Sequence, residues 1–208
     1  MFGSVITVDY SSKSMLGPPG SFKTCHPVLV DELFPTPAFP IQTIIFLHGG
    51  DIVAKQCTTS ASISASPSGR KRLAIKDELA KMLVEANCMY WGCSLMKIVY
   101  QFISNSNCKE GLTELPPPTV PRLCMVYSTI AVPVVPSLKS AVYLLEERIE
   151  GDFVKYINNN SASPRPGLNN KQKLIAEFLC FTQRVQYHLS HGLAFLSDFQ
   201  GSSFSHMS

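Results

Sequence analysis

Residues 143–160 read YLLEERIEGDFVKYINNN, and the stretch divides near Gly151. Up to Glu147 it closes an apolar run, KSAVYLLEE at 139–147, with the character of a β-strand. Beyond Arg148 it becomes polar, and GDFVKYINNN reads as a loop. That loop carries Lys155 and three successive asparagines at 158–160. Such side chains donate to phosphate oxygens, and asparagine carbonyls accept a metal. An asparagine-rich turn has the same composition, so the local pattern leaves both readings open.

Toward the N-terminus, RLCMVYSTIAVPV at 122–134 reads as a neighbouring strand, with Pro136 in the turn between the two. The proline-rich connector CKEGLTELPPPTVPR precedes it, and no helix can cross those prolines. An amphipathic helix is expected from about Lys76 to Ile103. Leu79, Met82, Leu83, Ala86, Tyr90, Cys93, Met96, Val99, Tyr100 and Ile103 recur there every three or four residues. Asp77 and Glu78 sit where a helix start favours negative charge. Residues 58–70 are low-complexity Ser/Thr/Ala and read as a loop, with Arg70-Lys71-Arg72 as a solvated continuation. In IQTIIFLHGGDIVAK, 41–55, two strand-like runs flank Gly49-Gly50, a hairpin signal.

Toward the C-terminus a second amphipathic helix is expected over Asn170–Leu189. Its apolar stripe is Leu174, Ile175, Phe178, Phe181, Val185 and Leu189, and Gly192 lies just past its end. Leu193–Phe199 then alternates like a buried strand, which would place Asp198 and Gln200 on one side. The order of hairpin, helix, strands, helix and strand is an α+β pattern with most of the sheet in the first half.

The chain has 208 residues, 45% of them hydrophobic and 16% charged, enough for one domain or two small lobes. Its net charge of +3 is spread without a basic stripe, which argues against nucleic acid as a partner. Seven cysteines without a CxxC support neither a zinc ribbon nor a disulfide framework, and reduced buried thiols are expected. The start has no secretory pattern, and the apolar runs are too short to span a membrane. An intracellular protein is expected.

Several short motifs invite chemistry. Lys55 in DIVAK can send an ammonium toward phosphates, although alone it also reads as a surface lysine at a strand end. GPPGSFKT, 17–24, offers backbone N–H groups to phosphate or is a plain turn. Asp198 could align or deprotonate a hydroxyl, and Gln200 could hold a metal, a water or a phosphate oxygen. HGGD at 48–51 suggests an oxyanion loop, but the G-x-S-x-G elbow of a hydrolase is absent from the sequence and Ser94 falls mid-helix.

Taken in order, GSFKT, VAK, DELAKMLVEANCMYW, YLLEERIEGDFVKYINNN, EFLCFTQRVQY and FLSDFQG resemble the alpha-type (atypical) protein kinases, in particular the branch abundant in mushroom-forming fungi. The resemblance runs from about Gly20 to Gly201. It implies a two-lobed kinase-like fold, with an N-lobe at about 15–140, a partial C-lobe at about 141–201 and an unpatterned tail at 202–208. It implies ATP and Mg2+ in a cleft lined by Lys55, Glu146 and Asp198, and Ser/Thr phosphoryl transfer to a protein substrate. By the resemblance Lys55 meets the ATP phosphates, and Gly20, Ser21, Phe22 and Lys23 form the phosphate-side loop. Glu146 lies at the adenine hinge, and Lys155, Asn158 and Asn159 lie near the phosphates. Asp198 is the catalytic aspartate, Gln200 a magnesium ligand, and Glu85 a candidate to orient Lys55.

The family continues past DFQG into a Thr-Asp-Pro metal segment, a glycine-rich substrate loop and a zinc site, whereas this sequence reads SSFSHMS. Arg184 stands where the resemblance expects a zinc histidine, so no structural zinc is expected. A C-terminally truncated domain with impaired transfer is the expectation. The alternative is a non-catalytic pseudokinase remnant that binds nucleotide or protein.

Overall fold

The computed structural model describes residues 5–11, 13–17, 22–32, 51–60, 70–109, 120–135, 137, 140–149, 151–159 and 161–202. Along the chain these form β1 (Val5–Val8), β2 (Lys23–Glu32), β3 (Ile52–Ser60), β4 (Arg70–Arg72), α1 (Ile75–Lys109), β5 (Ser128–Ala131), β6 (Tyr143–Glu147), β7 (Phe153–Lys155), α2 (Asn170–Leu189) and β8 (Gln200–Ser202). The protein is α+β, as expected. It groups into two compact units, Met1–Cys88 with Val126–Arg148, and Met89–Met125 with Ile149–Ser208.

The first unit is built on an antiparallel sheet of order β1-β2-β3-β6-β5, with β4 also paired to β3. Register determines what each face carries. Cys25 opposes Lys55, Lys55 opposes Leu144, and Val53 opposes Glu146, so these five side chains share a face. Val142, Leu144 and Cys57 pack there against Leu79 and Met82 of α1. The other face buries Val28, Ile52, Ala54, Tyr143 and Leu145, with Ile6 and Val8 of β1 laid against them.

Two expectations about residues 58–72 are corrected. Thr58, Thr59 and Ser60 are not loop but the end of β3, because they pair with Arg72, Lys71 and Arg70. The basic run is therefore an edge strand rather than a solvated loop. Arg72 donates from Nε to Glu78 Oε1 at 2.7 Å and from its second terminal nitrogen to Oε2 at 3.1 Å. It also donates to the Ser140 carbonyl. Glu78 is fully buried, and it further accepts the Val142 N–H at 3.1 Å and the Gln56 amide at 3.4 Å. A residue expected only as a favourable helix-start charge is thus also a core tie among α1, β3, β4 and the entry to β6. The hydrogen bonds that Arg72 donates to Glu78 push its guanidinium pKa upward.

Helix α1 starts one residue before the expected position and continues to Lys109, since no proline occurs until Pro116. Met82, Met96 and Val99 are buried, whereas Leu83 and Tyr90 of the expected stripe are exposed. The hairpin expected at Gly49-Gly50 lies outside the described residues.

In the second unit, α2 has the bounds expected from the sequence. Asn169 Oδ1 accepts the Gln172 N–H at 2.9 Å, and Gln172 Oε1 accepts the Asn169 N–H at 3.0 Å, a reciprocal cap. Gly192, at φ +83°, ends the helix by donating its N–H to the Tyr187 carbonyl at 2.8 Å. The buried face is rotated from the expected stripe. It carries Ile175, Ala176, Leu179, Thr182, Gln183, Val185 and Gln186, while Leu174, Phe181 and Leu189 are exposed. Ile175, Ala176 and Leu179 pack with Tyr156 and Ile157, against Leu123, Val154, Leu168 and Phe199. Among the described cysteines the thiols are free. Cys57 is buried as expected, but Cys88 and Cys124 are exposed.

Candidate functional site

The segment expected as a loop, GDFVKYINNN, contains strand β7, which pairs with β8 in the register Phe153↔Ser202, Val154↔Gly201 and Lys155↔Gln200. Val154 enters the core, so Phe153, Lys155, Gln200 and Ser202 line the opposite face of the ribbon.

Leu193–Phe199, expected as a strand, is not one; the strand begins at Gln200. The cause lies in α2. Gln186 Oε1 accepts the Leu196 N–H at 2.8 Å, and Gln183 Nε2 donates to the Leu196 carbonyl at 2.8 Å. Ser190 Oγ accepts the Ala194 N–H at 3.0 Å. Side chains thus satisfy the backbone groups that a neighbouring strand would otherwise pair. Asp198 then adopts φ +58°, a left-handed conformation that aspartate tolerates better than most residues. The extended geometry that would set Asp198 and Gln200 side by side is absent.

Lys155 reaches Asp198 instead, with Nζ 2.7 Å from Oδ1. The Asn159 amide, oriented with its nitrogen toward the acid, donates to Oδ1 at 2.6 Å and Oδ2 at 2.8 Å. Asn158 is exposed. Lys155, Asn159 and Asp198 therefore form one cluster, and Gln200 lies opposite Lys155 in the ribbon.

A second grouping lies on the sheet of the first unit. Lys55 Nζ is 2.5 Å from Glu146 Oε2, whose side chain is 6% exposed. Cys25 is the cross-strand neighbour of Lys55, and burial raises its thiol pKa. Lys23 opens β2 and pairs with Glu85 at 2.7 Å. The acid expected to orient Lys55 from α1 is thus engaged elsewhere, and Glu146 holds Lys55. Phe22 is exposed, and its carbonyl accepts the Thr58 N–H at 2.9 Å. Gly20 and Ser21 lie outside the described residues.

In the first unit Lys55 offers a fixed cation of the kind phosphate takes. In the second unit Asp198 and Gln200 each carry a hard oxygen donor of the kind magnesium takes. Among the described residues no group of three or more His, Cys, Asp or Glu gathers into an all-protein cage. Gln183 and Gln186 were missed from the sequence. Their signal was two amides, three residues apart, adjoining an apolar helix face.

These features define an α+β protein with cationic and acidic groups fixed on sheet faces. The chain belongs to the alpha-kinase family, whose model matches residues 38–207. Membership supports a kinase-type function and, in general, use of ATP and Mg2+. The crystal structure of the apoenzyme alpha-kinase domain of myosin-II heavy chain kinase A is similar at 14% identity and a TM-score of 0.45, covering 95% of this chain and 70% of that one. No curated protein sequence matches the chain. No described helix is long and apolar enough to cross a membrane.

Proposed function

We propose that this chain is a protein Ser/Thr kinase domain that transfers the γ-phosphoryl group of ATP to a protein hydroxyl. The observation that carries the reading is the Lys55–Glu146 ion pair on the sheet of a chain that matches the alpha-kinase family over 38–207. Glu146 fixes the Lys55 ammonium, which offsets charge on the phosphates. Lys155 and Asn159 fix the Asp198 carboxylate. In the reaction the acceptor oxygen forms a bond to the γ-phosphorus while the bond to the β,γ-bridging oxygen breaks. ADP leaves, and Asp198 takes the hydroxyl proton. Gln200 would help hold magnesium, which would supply further positive charge at the phosphates.

The test is transfer from labelled ATP to one acidic and one basic generic protein, followed by phosphoamino-acid analysis. The expected product is phosphoserine or phosphothreonine, with Asp198→Ala slower by about a hundredfold or more. Equal transfer by the variant removes Asp198 from the chemistry. ATP binding without transfer by the parent chain favours a non-catalytic nucleotide-binding module.

A further inference from the structure

A groove of about 270 Å³ lies beside the Asp198 cluster, lined by Phe153 and Lys155 of β7 and by Arg165, Pro166, Gly167 and Leu168. Lys155 belongs both to its wall and to the acid cluster, through its 2.7 Å contact with Asp198. The groove and the proposed proton acceptor therefore share a side chain.

Its far wall is pre-organised. Pro164 bridges to Ile157, and the Arg165 N–H donates to the Tyr156 carbonyl at 2.8 Å. Pro166 fixes its own φ, and Leu168 is anchored in the core. Arg165 thus projects from a tied-down backbone. Lys155 is already committed to Asp198, but no described carboxylate pairs with Arg165. Helix α2 starts just beyond, with no acid in its first turn and with Lys171 exposed there. Asp152 is outside the lining. The exposed ring of Phe153 supplies one apolar edge.

The groove volume suits one side chain and is below the usual range of about 300–1,000 Å³ for a whole small-molecule ligand. We infer that this groove receives an acidic side chain of the protein substrate close to the phosphorylated hydroxyl, with Arg165 as the residue that selects it. Guanidinium–carboxylate pairing is planar and bidentate, so Arg165 reads charge and geometry together. The inference rests on the kinase reading for its meaning, but not for its test.

The test is fluorescence anisotropy at low salt, without ATP, on the full 208-residue chain. The probes are labelled serine peptides carrying Glu, or Lys in its place, at each of three positions on either side of the serine. At one position the Glu peptide is expected to bind about threefold to tenfold tighter than its Lys twin. Arg165→Glu is expected to reverse that ranking, which a merely structural defect would not do. No preference in the parent chain, or the same ranking in Arg165→Glu, overturns the inference. A preference without phosphoryl transfer refutes the kinase reading alone. Transfer without a preference refutes the groove alone.

Discussion

Gln186→Leu removes the acceptor of the Leu196 N–H while keeping most of the side-chain volume. Gln186 is fully buried, and its Oε1 takes that N–H at 2.8 Å. Its Nε2 loses only a weaker contact, 3.6 Å to the Met96 sulfur. An N–H stranded away from water costs about 1–3 kcal/mol. Leu196 is half-buried, so partial hydration reduces the cost to about 1–2 kcal/mol. For a chain of this size each kcal/mol moves Tm by about 2–4 °C, so the expected drop is about 2–8 °C. Arg184→Ala, exposed on the same helix, should stay within about 0.5 kcal/mol of the parent. Thermal unfolding reads the global effect, and amide hydrogen exchange at Leu196 reads the local one. If Gln186→Leu leaves both Tm and Leu196 protection at parental values, side-chain pairing does not hold the approach to Asp198.

Lys55→Met should weaken nucleotide binding and lower phosphoryl transfer by about a hundredfold to a thousandfold, measured by ATP titration and labelled transfer; unchanged ATP affinity would remove Lys55 from the phosphate site. His26 is buried, its Nε2 faces Thr24 Oγ1 at 3.0 Å, and its Nδ1 has no hydrogen-bond partner among the described residues. Burial lowers its pKa below the ordinary 6.5, with Asp9 opposing the shift. The unfolded chain therefore takes up the proton first, and stability falls as pH drops through 6.5 toward the folded value. The urea midpoint should fall more between pH 7.5 and 5.5 in the parent than in His26→Gln, and parallel falls would count against this assignment.

What the sequence made legible follows from whether the relevant partner was local. Helix α2 was readable because Asn169, Gln172 and Gly192 mark its ends within a few residues. The strand character of IVAK and YLLEE was readable for the same reason, since alternation and β-branched content are local. Leu193–Phe199 misled because its backbone partners are side chains on α2 and on Ser190, which caps it, a pairing that leaves no period in the segment itself. Arg70–Arg72 misled because three basic residues look solvated until a buried acid is found for one of them. In the candidate site, the blocks carrying Lys55, Glu146, Lys155 and Asp198 stood out, but their pairings did not. The acid expected to serve Lys55 is on Lys23, and a glutamate assigned elsewhere holds Lys55.

Glu78 bears on the order of folding events. Its partners lie 6, 22 and 64 residues away along the chain, at Arg72, Gln56 and Val142. The Arg72 contact closes a short turn and can form as soon as α1 begins to wind. The Val142 contact waits for a long loop to close, which is entropically slower. One carboxylate therefore joins an early contact to a late one. Interactions completed after the folding barrier mainly govern the rate of unfolding. Were the Val142 contact to close after that barrier, the long-range side of Glu78 would set the unfolding rate, and so how long β6 stays closed against the start of α1.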